Sequence, residues 1–299
     1  MTTTNVSRSL STRPYCLSAI DQLPEPLLEL AKDHLPESQS VERIFVVPPG
    51  TYIHGFRWEL NPLQAIIFTK QGVLHLAASS NKGQPEKGVW VSSDDIFMIK
   101  LSLILLYGKL EIYGVQNEQI IKIEVEYNAV AHELLSPALR ELIKKTWRKN
   151  PANFAHPQQD ATFSSLGSIS FSFYNGLNNE AIQLDEQVLG YVYQPEIREP
   201  WLKIFYKKLF PQTVVALTDQ QLILLQQDLK FHEHHEWIFT FIPLYRIASI
   251  KQAEYKSWEK ISVQPLSEFP ELNIEVIFEP INAQKLHSMF KEEGIADQT

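Results

Sequence analysis

Leu217-Thr218-Asp219-Gln220-Gln221-Leu222-Ile223-Leu224-Leu225 reads as the end of one strand, a tight polar turn and the start of a second strand. A threonine followed by short polar residues can bond its own backbone and reverse the chain, and the apolar residues on either side give the turn two strands to join. Further on, Ile242-Pro243-Leu244-Tyr245-Arg246-Ile247-Ala248-Ser249-Ile250 supplies a second apolar pattern. The first half of the chain carries the same plan. Phe68-Thr69-Lys70-Gln71-Gly72-Val73-Leu74-His75-Leu76 parallels Leu217–Leu225 at an offset of 149 residues. Asp95-Ile96-Phe97-Met98-Ile99-Lys100 parallels Arg246–Lys251 at an offset of 151, and Ile123–Tyr127 parallels Ile274–Phe278 at the same offset. Three matches in one order at a nearly constant offset mark an internal duplication, and self-similarity of this kind outranks local readings.

Working outward, residues 1–40 read as a polar tail followed by a short helix, Leu27–Leu35, with Pro24-Glu25-Pro26 at its start. Residues 41–149 read as strands of period two, closed by a helix over Glu133–Lys149 with Leu135, Leu139, Leu142 and Trp147 at helical spacing. Residues 150–186 are a connector, in which Ile169–Tyr174 reads as a strand and Asn175-Gly176 as a turn. Residues 187–295 repeat the strand series, including a strand over Pro243–Ile250. They end in a helix over Asn282–Glu293 capped by Asn282.

The motif "apolar-Thr-x-x-x-apolar-x-apolar", a gap, then "Ile-x-x-Ile" stands twice, at Phe68–Leu76 with Asp95–Lys100 and at Leu217–Leu225 with Ile242–Ile250. This plan resembles the bacterial pleckstrin-homology-like superfold and its GRAM relatives, over about two thirds of the chain. The resemblance implies an α+β, β-dominant protein: two tandem pleckstrin-homology-like domains, each a seven-stranded bent sheet or barrel closed by a C-terminal helix. It carries no catalytic residues, and a shared fold says little about function. The copies differ at Gly72, where the second has Gln221, and in the first inter-strand connection, Gly50–Pro62 against Arg198–Phe210.

The formal net charge of −8 argues against a general nucleic-acid binder, which needs a basic footprint. The one cysteine, Cys16, excludes an intrachain disulfide and any multi-cysteine metal site, and fits a reducing compartment. The longest apolar run, Ile96–Leu106, is broken by Lys100 and falls short of the ~18 residues a membrane span needs. No secretory signal is visible, so a cytoplasmic protein is expected.

The Arg198–Phe210 insert is the most informative stretch for function. With Pro200 opening a helix, Lys203, Lys207 and Lys208 share a face, and Trp201, Leu202, Ile204, Phe205, Leu209 and Phe210 cover much of the rest. Aromatics beside a basic stripe suit an anionic membrane surface. The resemblance adds that this connection is where such domains often take a phosphorylated lipid head group, which makes Arg198, Trp201, Lys203, Phe205, Lys207 and Lys208 the candidate lipid or ligand residues. Burial of the aromatic face against the protein is the alternative. His232-Glu233-His234-His235-Glu236 is the only metal-like cluster, with His232, His234 and His235 as candidate ligands, although it does not match a helical zinc motif and sits at an expected hairpin turn. Lys144, Lys145, Arg148 and Lys149 complement a helix C-terminus. Asp94-Asp95 reads as a turn, not an acid–base pair. Neither a nucleophile elbow nor a phosphate-cradling glycine loop occurs.

The expectation is therefore a non-enzymatic, cofactor-free interaction module that binds a protein partner or peptide through a sheet edge or the groove beside a closing helix. Peripheral binding to anionic lipid through the insert is the alternative, and a metal-dependent enzyme at His232–His235 the third. A homo-oligomer is compatible with the sequence, and nucleic acid is not expected.

Overall fold

A computed structural model of the chain describes residues 13–36, 39–54, 57–78, 86–104, 106–147, 163–201, 205–228, 236–266, 268–269 and 272–292. The protein is α+β and dominated by strands. The chain divides into two compact units, Met1–Asp94 with Val125–Leu142, and Asp95–Glu124 with Ile143–Thr299. No helix among the described residues is long and apolar enough to cross a membrane.

The first unit holds an antiparallel sheet of β1 (Tyr15–Leu17), β2 (Val41–Val47), β5 (Gln64–Thr69), β6 (Gly72–Ala77) and β7 (Lys87–Ser92), in that spatial order. Between β2 and β5 the chain makes a separate hairpin, β3 (Gly50–His54) and β4 (Arg57–Asn61). Helix α1 (Glu25–His34) lays Leu27, Leu30 and Ala31 on one face of the sheet, against Ile44, Val46, Ala65, Ile67, Leu74 and Leu76. Alternation puts Phe45, Ile66, Phe68 and Val73 on the opposite face, where Phe45 meets Tyr127 edge-on at 5.6 Å. Both faces are covered, which is why β5 and β6 are apolar almost throughout.

Next come β8 (Ile96–Ile104), β9 (Tyr107–Gln116), β10 (Gln119–Asn128) and helix α2 (His132–Trp147). Then follow two short helices, α3 (Leu166–Ile169) and α4 (Phe171–Asn175), and a wide helical turn, Gly176–Ala181. The expected strand over Ile169–Tyr174 is thus helical. Phe163, Leu166, Phe173, Leu177 and Ala181 are buried at roughly helical intervals, and Phe173 stands edge-on between Tyr193 and Trp237 at 5.7 and 5.2 Å.

The second series is β11 (Val188–Gln194), β12 (Ile197–Trp201), β13 (Phe205–Phe210), β14 (Gln212–Thr218), β15 (Gln221–Asp228), β16 (Glu236–Pro243), β17 (Ser249–Tyr255), β18 (Trp258–Gln264), β19 (Ile274–Phe278) and helix α5 (Pro280–Glu292). Pro243–Ile250 is not one strand. Leu244–Arg246 forms a helical turn between β16 and β17. Helix α5 begins two residues earlier than expected because Pro280 fits a first helical turn. Its entry is fixed by Gln194, whose Oε1 accepts from Glu279 N at 2.8 Å and from Asn282 Nδ2 at 2.9 Å.

A seven-stranded sheet runs β10-β9-β8-β16-β15-β14-β11, and a three-stranded sheet runs β17-β18-β19. A core of Val192, Val215, Leu217, Leu222, Leu224 and Ile242 from the first, Ile250, Ile261, Val263, Val276 and Phe278 from the second, and Leu286 and Phe290 of α5 joins these layers. Among the described residues the sheets stay open, and no barrel closes. The reason lies at one junction. β8 pairs antiparallel with β16, setting Ile99, Leu101 and Leu103 opposite Phe241, Phe239 and Trp237. Cross-strand apolar pairs of this size are the main stabilising unit of a sheet. The sequence repeat and the compact unit therefore follow different divisions, since β8 and β9 belong to the first sequence copy but to the second unit.

Candidate functional site

The opening stretch is a structural device. Thr218 is fully buried, and its Oγ1 accepts from the backbone N–H of Gln220 at 3.2 Å and of Gln221 at 3.0 Å while donating to Gln221 O. Thr69 does the same in the first copy, accepting from Gln71 and Gly72 and donating to Gly72 O at 3.0 Å. One buried hydroxyl thus satisfies three backbone groups in each turn, so neither threonine is free for chemistry.

The copies part at the next position. A Cβ on Gly72 would stand 2.3 Å from Val91 O, so only glycine fits there. At the matching place Gln221 is buried and polar. Its Oε1 accepts from Trp147 Nε1 at 2.7 Å, and its Nε2 donates to both carboxylate oxygens of Glu186 at 2.9 Å. Burial raises the Glu186 carboxyl to about 7, against the lowering effect of the Gln221 bond, and the nearby Asp219 carboxylate adds to the rise. Glu186 was not expected as a special residue. The only sequence signal for it was the unmatched Gln221.

The insert is a hairpin and not the expected helix. β12 and β13 pair with Arg198 opposite Lys208, Glu199 opposite Lys207, Pro200 opposite Tyr206 and Trp201 opposite Phe205. Adjacent residues of a strand face opposite ways, so Lys207 and Lys208 do not share a face. Arg198 bonds Glu196, and Lys208 Nζ lies 3.4 Å from the same carboxylate. Lys256, in the turn from β17 to β18, reaches Glu199 at 2.7 and 2.9 Å. Arg198 and Lys208 are therefore paired within the protein, while Lys207 is exposed and next in sequence to Tyr206, which is 67% exposed. Lys203 and the side chains of Trp201 and Phe205 lie outside the described residues.

His232, His234 and His235 also lie outside the described residues. Among those described, no group of three histidine, cysteine or acidic side chains could hold a metal ion. Lys144 stands 3.9 Å from Asp185, and Arg148 and Lys149 are not described. Asp94 and Asp95 sit in the turn between β7 and β8. Cys16 is half-buried, burial raises its thiol pKa, and its Sγ donates to Leu134 O at 3.6 Å, so it is a poor nucleophile.

The open strand β17 is a different kind of site. It pairs only with β18 among the described residues, and Lys251, Gln252, Ala253 and Glu254 are all exposed while Ile250 is buried. At the same offset in the first copy stands β8, whose matching edge is occupied by β16. At the head of β17 a groove of about 580 Å³ is lined by Val115, Glu118, Arg246, Leu266, Glu268 and Phe269. Its lining holds one guanidinium, two carboxylates and an aromatic ring.

No protein-family model matches the chain, and no curated protein matches it.

Proposed function

We propose that the chain is a non-enzymatic binding module of two tandem pleckstrin-homology-like repeats, which takes up an extended protein segment or peptide by strand addition to β17. The repeat reading is supported by the element order: in each copy four sheet strands, with a hairpin after the first, are followed by three strands and a closing helix. The paired threonine turns add a shared detail. The observation that carries the functional reading is the open edge of β17 with its run of four exposed residues. Main-chain bonds to an added strand supply affinity, and side-chain pockets supply choice. Lys251 favours an acidic residue opposite and Glu254 a basic one, while the Arg246 groove receives the end of the segment. The module works in the cytoplasm, without a cofactor, on a protein partner and not on nucleic acid.

Panning a displayed random-peptide library against the full chain tests this. Successive strand residues point their N–H groups in opposite directions, so one of Gln252→Pro and Ala253→Pro removes an outward donor and the other a rung to β18. The expected result is peptides whose binding fails on the variant that loses the outward donor. Peptides that bind both variants as tightly as the parent chain, or a library that yields none, would overturn the reading.

A second reading, peripheral attachment to an anionic membrane, is favoured by one observation: the β12–β13 hairpin exposes an aromatic residue, Tyr206, and a basic one, Lys207, at successive positions. Retention on phosphatidylserine vesicles at low salt, lost in Lys207→Glu, would support it. Failure of the parent chain to bind such vesicles would remove it.

A further inference from the structure

β10 ends the seven-stranded sheet and, among the described residues, pairs with β9 alone. It is ten residues long, so its outer side presents a long row of backbone donors and acceptors. One face of the strand is apolar and covered, with Ile123, Val125 and Tyr127 fully buried. The other carries Lys122 and Glu124, tied to Lys109 and Glu111 of β9. Lys109 Nζ lies 2.9 Å from Glu124 and 3.5 Å from Glu111, and Lys122 bonds both carboxylates. Burial opposes ionisation of Glu124, yet the hydrogen bonds from Lys122 and Lys109 keep its carboxyl below the ordinary range. The Lys122 and Glu124 side chains stay 38% and 39% exposed, with capacity for a further partner.

We infer that this edge pairs with itself: β10 of a second copy of the chain adds antiparallel across a two-fold axis through Ile123. Charged edge residues usually deter strand addition. Here their signs alternate, and symmetry decides what meets what. A two-fold axis normal to the sheet keeps each face on its own side, so facing residues must have numbers with an even sum. An axis through Lys122 opposes the two lysines. An axis through Val125 sets Glu124 against the partner's Glu126. An axis through Glu124 brings Lys122 opposite the partner's Glu126 but leaves the two Glu124 carboxylates face to face. The axis through Ile123 alone sets Lys122 opposite the partner's Glu124, and Glu124 opposite the partner's Lys122, with no like pair. The open edge of β17 does not have this property. On β17, Lys251 and Glu254 have an odd sum and cannot face each other in a symmetric pair, which leaves that edge for a different partner.

Sedimentation equilibrium of the full chain tests the pairing. The parent chain is expected to dimerise. Lys122→Glu alone and Glu124→Lys alone each turn two facing pairs repulsive and weaken the dimer about thirtyfold. Mixing the two variants restores a dimer, because every facing pair is then of opposite sign. Should a charge reversal unfold the chain, Lys122→Gln and Glu124→Gln report the same contacts as a loss of about threefold. A parent chain that stays monomeric, single variants that dimerise as well as the parent, or a mixture that remains monomeric overturns the proposal.

Discussion

Glu186→Gln is the most informative single change in the second unit, because it isolates a carboxyl group that the fold holds at the wrong pKa for its charge. The Glu186 carboxyl is raised from 4.5 to about 7, chiefly by burial and further by Asp219, although Gln221 donates to both its oxygens. Folding therefore takes up a proton between those two values. The stability contributed by this group is complete below about pH 4.5 and is lost as the pH rises through about 7. At 1.36 kcal/mol per unit the whole change is roughly 3 kcal/mol, and partial exposure of the group lowers that to about 2. Urea midpoints followed by tryptophan fluorescence from about pH 5 to about pH 8 should fall for the parent chain relative to the variant, a comparison that cancels the opposite contribution of His75, whose ring pKa is lowered by burial to about 4. Glutamine keeps an acceptor for Gln221 and cannot ionise, so the variant should gain on the parent as pH rises, by about 2 kcal/mol between the acid and alkaline ends. A variant whose midpoint runs parallel to the parent's across the range would refute the reasoning.

Thr218→Val keeps the shape of the side chain but removes a hydroxyl that serves three backbone groups, and should cost about 1–3 kcal/mol, as should Thr69→Val. Thr→Ser at either site should recover most of that loss in the same urea titration. Gly72→Ala should destabilise by more than about 1 kcal/mol and lower expression of folded protein, since the added carbon meets Val91 O at 2.3 Å and backbone there cannot give way cheaply.

The turn at Leu217–Leu225 was legible because its chemistry is local. A threonine bonding the next backbone groups works the same way wherever apolar strands flank it, and both copies have it. The closing helix α2 and the turn at Asp94-Asp95 were legible for the same reason. The β12–β13 hairpin was not. Proline, aromatics and lysines from Pro200 to Phe210 satisfy a helical face as well as a strand pattern, and only the pairing of Arg198 with Lys208 and of Glu199 with Lys207 decides between them. The pairing of β8 with β16 depends on a long-range choice of neighbour that local periodicity does not encode. Its trace was there, in the nearly continuous apolar run from Ile96 to Leu103, because a strand apolar on both faces is a central strand and not an edge. Glu186 escaped notice because its burial comes from tertiary packing. Its partner Gln221 did stand out, as a glutamine where the other copy requires glycine.

The central proposal, strand addition to β17, is tested most directly by amide hydrogen exchange of residues Ser249–Tyr255 with and without a peptide selected on the full chain. The account predicts that the outward-facing amides of Lys251–Glu254 slow in alternation when the peptide binds, because every second N–H acquires a partner strand. Unchanged exchange along β17, with protection confined to another surface, would contradict it.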